Sequence, residues 1–181
     1  MVENFKGGKP EVMQSKPIFT IGHSNHDMAA FLKLLAGHAI KVVVDVRSAP
    51  YSRYVPQFNK REIEAALIKA GFTYIFMGDA IGGKPSDARY LDADGKVSYD
   101  KLAGSEAFQQ GLDRLAKGLS GGWRIALMCA EENPFKCHRH LLIARELELK
   151  RNIPVQHIRA DGTTIRAGEH MQGYSGQLKL F

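Results

Sequence analysis

Two cysteines, the only ones in the chain, bracket the stretch Cys129-Ala-Glu-Glu-Asn-Pro-Phe-Lys-Cys137-His138-Arg139. The first closes an apolar run, Ile125–Cys129, that reads as a buried strand. The second opens a run of helical character reaching Lys150. A thiol at a helix N-terminus feels the positive end of the macrodipole, and Lys136, His138 and Arg139 add positive charge; both effects favour the thiolate. Two chemistries fit. One is nucleophilic, with Cys129 or Cys137 as thiolate, His23 or His138 as base, and Arg47 and Arg139 holding an anionic group. The other is metal binding by Cys129, Cys137, His138 and His23. The Cys-x7-Cys-His spacing matches no standard zinc signature, so the nucleophilic reading is preferred.

Further polar residues sit where other strands should end. Gly22-His23-Ser24-Asn25 follows Ile18–Ile21. Asp45-Val-Arg47-Ser48-Ala-Pro50-Tyr-Ser52 closes a β-branched run, Val42–Val46. Asp45, Glu131, His23 and the two cysteines are candidate catalytic groups. Ser24, Arg47, Ser52, His138 and Arg139 are candidate anion ligands. Each has a plainer reading. Asp45 and Arg47 lie two apart on a strand, hence on one side, and can form a structural ion pair. Glu131 and Glu132 can cap a helix, and Cys129 can be a small buried hydrophobe. Arg139 in a first helical turn opposes the dipole, a placement that makes sense if it faces an anion.

These residues need a frame, and the chain supplies strand and helix patterns in alternation. Asn25 or Asp27 can cap a helix with Ala30, Phe31, Leu34 and Leu35 on one face. Asn59 can cap a second, with Ile63, Ala66, Leu67 and Ala70 inward and Gly71 after its end. Thr73–Met77 reads as a third strand, residues 105–118 as a helix, and Val155–Ile158 as a strand. Asp161-Gly162 turns into Thr163–Ile165. Alternation of this kind implies an α/β domain, a three-layer Rossmann-like or flavodoxin-like fold with a mostly parallel sheet of about five strands and an antiparallel edge. The strand order expected is 3-2-1-4-5, with a crevice between the carboxyl ends of strands one and four.

Residues 1–16 read as a flexible leader, 17–168 as one domain, and 169–181 as a C-terminal tail. Residues 78–104 form a long insertion, a lid or a surface excursion, in which Asp94-Gly95 can turn a small hairpin between Tyr90-Leu91 and Val97-Ser98. The composition, 44% apolar and 24% charged, is that of a globular protein. Two cysteines make no disulfide scaffold, so a cytoplasmic location is expected. No run suits a membrane span or a signal peptide. A net charge of +6 and a pI near 9.3 permit attraction to polyanions, although the basic residues are scattered. Neither a Walker-type phosphate loop nor a G-x-G-x-x-G fingerprint is present, so a nucleotide cofactor has no motif support.

Thr20-Ile-Gly-His23-Ser24, Asp45-Val-Arg47-Ser-x-Pro50-x-Ser52, Gly82-Gly83 and Cys129-Ala-Glu131-x-x-Pro134-x-x-Cys137-His138-Arg139, in this order, resemble the domain of unknown function 488 family over roughly residues 17–160. The resemblance implies a compact α/β domain of bacterial or archaeal type and no particular reaction. The positions that carry it are site candidates without assigned roles.

The chain ends Gln177-Leu178-Lys179-Leu180-Phe181, behind Gln172-Gly-Tyr-Ser-Gly176 as a tether. This end is similar to the short peptide by which bacterial polymerases and repair proteins bind the replication sliding clamp, with Lys179 where Ser or Asp is usual. Leu180 and Phe181 would fill an apolar pocket while Gln177 sets the register and Leu178 adds contact. The alternative is a terminal strand packed back on the body. Three functions follow as expectations. The first is an enzyme acting on nucleic acid or a nucleotide-derived anion and recruited to the clamp. The second is a non-catalytic module binding an anion, nucleic acid or metal. The third is a cytosolic thiol- or metal-dependent enzyme of small molecules. Whether the site is catalytic is open at this level.

Overall fold

The computed structural model describes residues 16–171. Its strands are β1 (Ile18–Gly22), β2 (Val42–Asp45), β3 (Thr73–Phe76), β4 (Ile125–Cys129), β5 (Val155–Ile158) and β6 (Thr164–Arg166). Four of them are nearly or wholly buried along their length, which is why they lack the in–out alternation of a half-exposed strand. The first five are parallel and β6 pairs antiparallel with β5 at one edge.

The order is β3-β2-β4-β1-β5-β6, which corrects the expected 3-2-1-4-5. β4 lies between β2 and β1, so the first two strands never pair. Both β1 and β4 are apolar throughout, and periodicity cannot say which of two such strands is the more central. The ends of β1 and β4 do lie side by side, as expected, with Gly22 opposite Cys129. The end of β2 joins them, with Asp45 opposite Met128. Three carboxyl ends therefore meet at one place.

Helices α1 (Met28–Gly37) and α2 (Lys60–Lys69) cover one face, burying Phe31, Leu35, Ile63 and Leu67 against Phe19, Val43 and Ala126. Asp27, not Asn25, caps α1, accepting from the Ala30 N–H at 2.7 Å. Asn59 sits at the N-cap position of α2, but its side-chain Oδ1 accepts from the Ser52 N–H at 2.7 Å and not from a helix N–H. It fastens the loop after β2 rather than the helix. Gly71, just past α2, takes a φ of 85°, as a helix-ending glycine does.

Residues 78–104 fold into the short helices α3 (Gly78–Ile81) and α4 (Tyr99–Ala103), with Leu91 and Val97 bridged around the Asp94-Gly95 turn. α5 (Glu106–Ser120) covers the other face of the sheet with Phe108, Leu112, Leu115 and Leu119. The segment after Cys137 departs from the expected α-helix. Arg139–Ala144 is a π-helix, and only Arg145–Arg151, α6, is α-helical. In this run only Leu141 is not buried. The wider π turn lets adjacent residues share one inward face, where an α-turn would push some of them to solvent.

Truncating Phe108→Ala, fully buried under the sheet, should cost about 3–5 kcal/mol of unfolding free energy. Ile68→Ala, 60% exposed, should change it by less than about 0.5 kcal/mol. Urea titration of the two variants checks both.

Candidate functional site

At the end of β2, Asp45 and Arg47 point to one side and form a bidentate pair. Arg47 donates from Nε to Oδ1 at 2.9 Å and from Nη2 to Oδ2 at 2.7 Å. The Arg47 backbone N–H also reaches Oδ1, and the Tyr74 hydroxyl donates to Oδ2 at 2.9 Å. Asp45 is fully buried with both oxygens engaged, so it holds Arg47 rather than facing a reactant. Burial and the Asp45 carboxylate together push the Tyr74 hydroxyl well above its usual range. Arg47 Nη1 donates to the Phe58 carbonyl at 2.8 Å and meets His23 Nε2 at 3.1 Å.

That contact defines His23. Its Nδ1 lies 2.9 Å from the Ser24 carbonyl and so carries the proton, leaving Nε2 to accept from Arg47. The ring stacks on Phe58 with centroids 4.3 Å apart. Burial, with help from Arg47, lowers its pKa to about 4. Both nitrogens are committed, so His23 is neither a free base nor a partner of the two cysteines in a metal set. It orients Arg47.

At the end of β4, Cys129 and Cys137 face each other with His138 between them. His138 Nδ1 is 3.8 Å from Cys129 Sγ and 3.7 Å from Cys137 Sγ. Its Nε2 lies 3.0 Å from the Val46 carbonyl and donates to it. Gly83 makes this ring position possible, since a Cβ there would lie 2.5 Å from His138 Cγ. Both cysteines are free and buried. The neighbouring Cys137 and then His138 hold Cys129 well below the usual thiol range, against the opposing effect of burial. Its neighbour Cys129 and burial push Cys137 up.

Arg139 is fully buried beneath them and is not on the cavity surface. Its Nη2 donates to the Glu132 carbonyl at 2.5 Å, while Nε and Nη1 have no acceptor. Gly22 leaves the space, because a Cβ there would sit 2.8 Å from Arg139 Nη1. Burial lowers its pKa, opposed by the nearby cysteines and by Glu132 and Glu131. Glu132 grips Arg159 through bonds of 2.9 and 3.0 Å, tying the loop to the segment after β5, and this pairing holds its carboxyl low.

A cavity of about 360 Å³ opens over the cysteine pair, walled by Arg47, Ser48, Lys84, Tyr99, Glu131 and Lys136. Of the residues chosen from sequence, Cys129, Cys137, His138, Arg47 and Glu131 meet here. His23, Asp45 and Arg139 pack behind. Ser24 and Ser52 lie off the cavity, bonded to Asn25 and to the Tyr54 N–H. Gln177, Leu178, Leu180 and Phe181 lie outside the described residues. Ser48 and Lys84, which follow the second and third strands in sequence, also line the cavity, and sequence reasoning missed Tyr99 as a wall residue. It also missed a buried chain in which Thr20 Oγ1 meets His157 Nδ1 at 2.8 Å and His157 Nε2 meets His140 Nδ1 at 2.9 Å. Only the length of the 78–104 insertion hinted at Tyr99; nothing local marked the histidine pair.

A family model described as domain of unknown function DUF488 matches residues 27–145, and the chain belongs to that family. The matched span contains Asp45, Arg47, both cysteines, His138 and Arg139, and leaves out His23 and Ser24. No curated protein and no solved structure matches the chain significantly.

Because folding depresses the His23 pKa from near 6.5 to about 4, the unfolded chain takes up a proton first as pH falls. The stability this residue contributes is complete above pH 6.5, declines as pH drops toward 4, and levels off below that. The decline should reach about 3 kcal/mol, and His23→Gln should flatten it. Urea midpoints taken across this range, wild type against variant, test the sign and the size.

Proposed function

We propose that this member of the DUF488 family is a cysteine-dependent enzyme of nucleic-acid metabolism whose cavity receives a phosphate-bearing nucleotide. The observation that carries the reading is the juxtaposition of a Cys129–Cys137–His138 floor with a wall bearing Arg47, Lys84 and Lys136. Three cations around an opening suit phosphate oxygens. Arg47 is fixed by Asp45 and His23, so it meets an anion without first being ordered. Arg139 acts from beneath, adding positive charge under the sulfurs.

The terminal peptide Gln177–Phe181 supplies the second half of the proposal. Its likeness to a clamp-binding peptide supports recruitment to the replication sliding clamp, which would deliver the cavity to DNA in a reducing cytoplasm. No helix among the described residues is long and apolar enough to cross a membrane.

Two measurements test this. A 5′-phosphorylated single-stranded oligonucleotide should bind the full chain, and Lys84→Glu combined with Lys136→Glu should weaken it at least about tenfold while reducing the salt slope by about one or two. Equal affinity for both proteins would remove the nucleotide reading. The full chain should also bind its organism's sliding clamp, and deletion of residues 177–181 should abolish that binding. Retained binding after the deletion would exclude the tail as the recruiting element.

A further inference from the structure

We infer that Cys129, Cys137 and His138 form a site for one zinc ion, with the fourth coordination position open to the cavity. The three donor atoms lie within 4.8 Å of one another, and the imidazole nitrogen is 3.8 and 3.7 Å from the two sulfurs. A tetrahedral zinc with bonds of about 2.3 Å to sulfur and about 2.0 Å to nitrogen separates its ligand atoms by roughly 3.5–3.8 Å. The donors stand at nearly that spacing and need only small side-chain adjustments to close on an ion.

The histidine is prepared as a ligand. Nε2 donates to the Val46 carbonyl, so the Nδ1 lone pair faces the sulfurs. Such a carbonyl behind a histidine fixes tautomer and ring direction in metal sites. Gly83, pressed against the ring, prevents it from swinging away.

Charge explains Arg139. Zinc with two thiolates and a neutral imidazole carries no net charge, and an anionic fourth ligand makes the centre negative. A buried guanidinium with two donor nitrogens lacking acceptors balances that charge. Three protein ligands and one open position are the pattern of catalytic rather than structural zinc. The spacing escapes the usual signatures because the first ligand ends a strand and the other two follow a loop containing the 3₁₀ turn Pro134–Lys136. The inference rests on these three side chains and holds whether or not the cavity takes a nucleotide.

The full-length, untagged protein is purified under reducing conditions, loaded with zinc, desalted, and analysed for metal by mass spectrometry. One zinc per chain is expected. Cobalt in its place should give sulfur-to-cobalt charge transfer and the intense visible bands of a tetrahedral ion. Cys129→Ser and Cys137→Ser should each lower zinc affinity at least about a hundredfold, with folding checked by circular dichroism. Should these variants misfold, alkylation of the wild type decides: zinc should protect both thiols and a chelator should expose them. Less than about a tenth of an equivalent after loading would overturn the site. So would stoichiometric zinc with both thiols still freely alkylated, which would place the ion elsewhere.

Discussion

The buried pairing of Asp45 with Arg47 is the contact on which the rest of the site depends. Charges removed from water are costly unless every polar atom finds a partner, and here four donors converge on one carboxylate. Arg47 in turn engages His23 and the Phe58 carbonyl, joining the ends of β1 and β2 to the start of α2. The intervening Val46 turns its carbonyl to His138. Three consecutive residues thus set one cation of the cavity wall, the neutral state of one histidine and the tautomer of another.

Behind this pairing the interior is unusually rich in nitrogen donors and acceptors. His157 and His140 share a hydrogen bond under the edge of Phe135, and burial lowers both pKa values, that of His157 to about 3. Arg139 lies between this histidine pair and the cysteines in its electrostatic influence, lowering the former and favouring charge on the latter. Burial first, and the Arg139 charge with it, therefore keeps His140 and His157 neutral.

Much of the frame was legible because its causes are local. Runs such as Val42–Asp45 and Ile125–Cys129 are apolar and bounded by polar turns, so they announce strands wherever they later pack. The spacing of Asp45 and Arg47 placed them on one side, and their ion pair is seen. What stayed illegible depends on assembly. Two equally apolar strands, β1 and β4, could not be ranked by centrality. The π-helix arises because Arg139, His140, Ile143 and Ala144 must all be buried at once, which no periodicity states. His23 looked like a base until Arg47, remote in sequence, was found at its free nitrogen. Tyr99 reaches the cavity only through the path of an insertion.

The placement of β4 bears on how the chain emerges from the ribosome. Among the described residues β1 hydrogen-bonds only to β4 and β5, so it has no sheet neighbour until residues 125–129 have been synthesised. β2 and β3 can pair earlier, on their own. A nascent chain ending before β4 therefore carries an unpaired apolar strand, and the sheet closes through contacts of long sequence separation, a slow class of folding step. Cys129 arrives on the strand that joins β1 to the β2–β3 pair. The two sulfurs are thereby brought together only once β4 has bridged β1 to the β2–β3 pair.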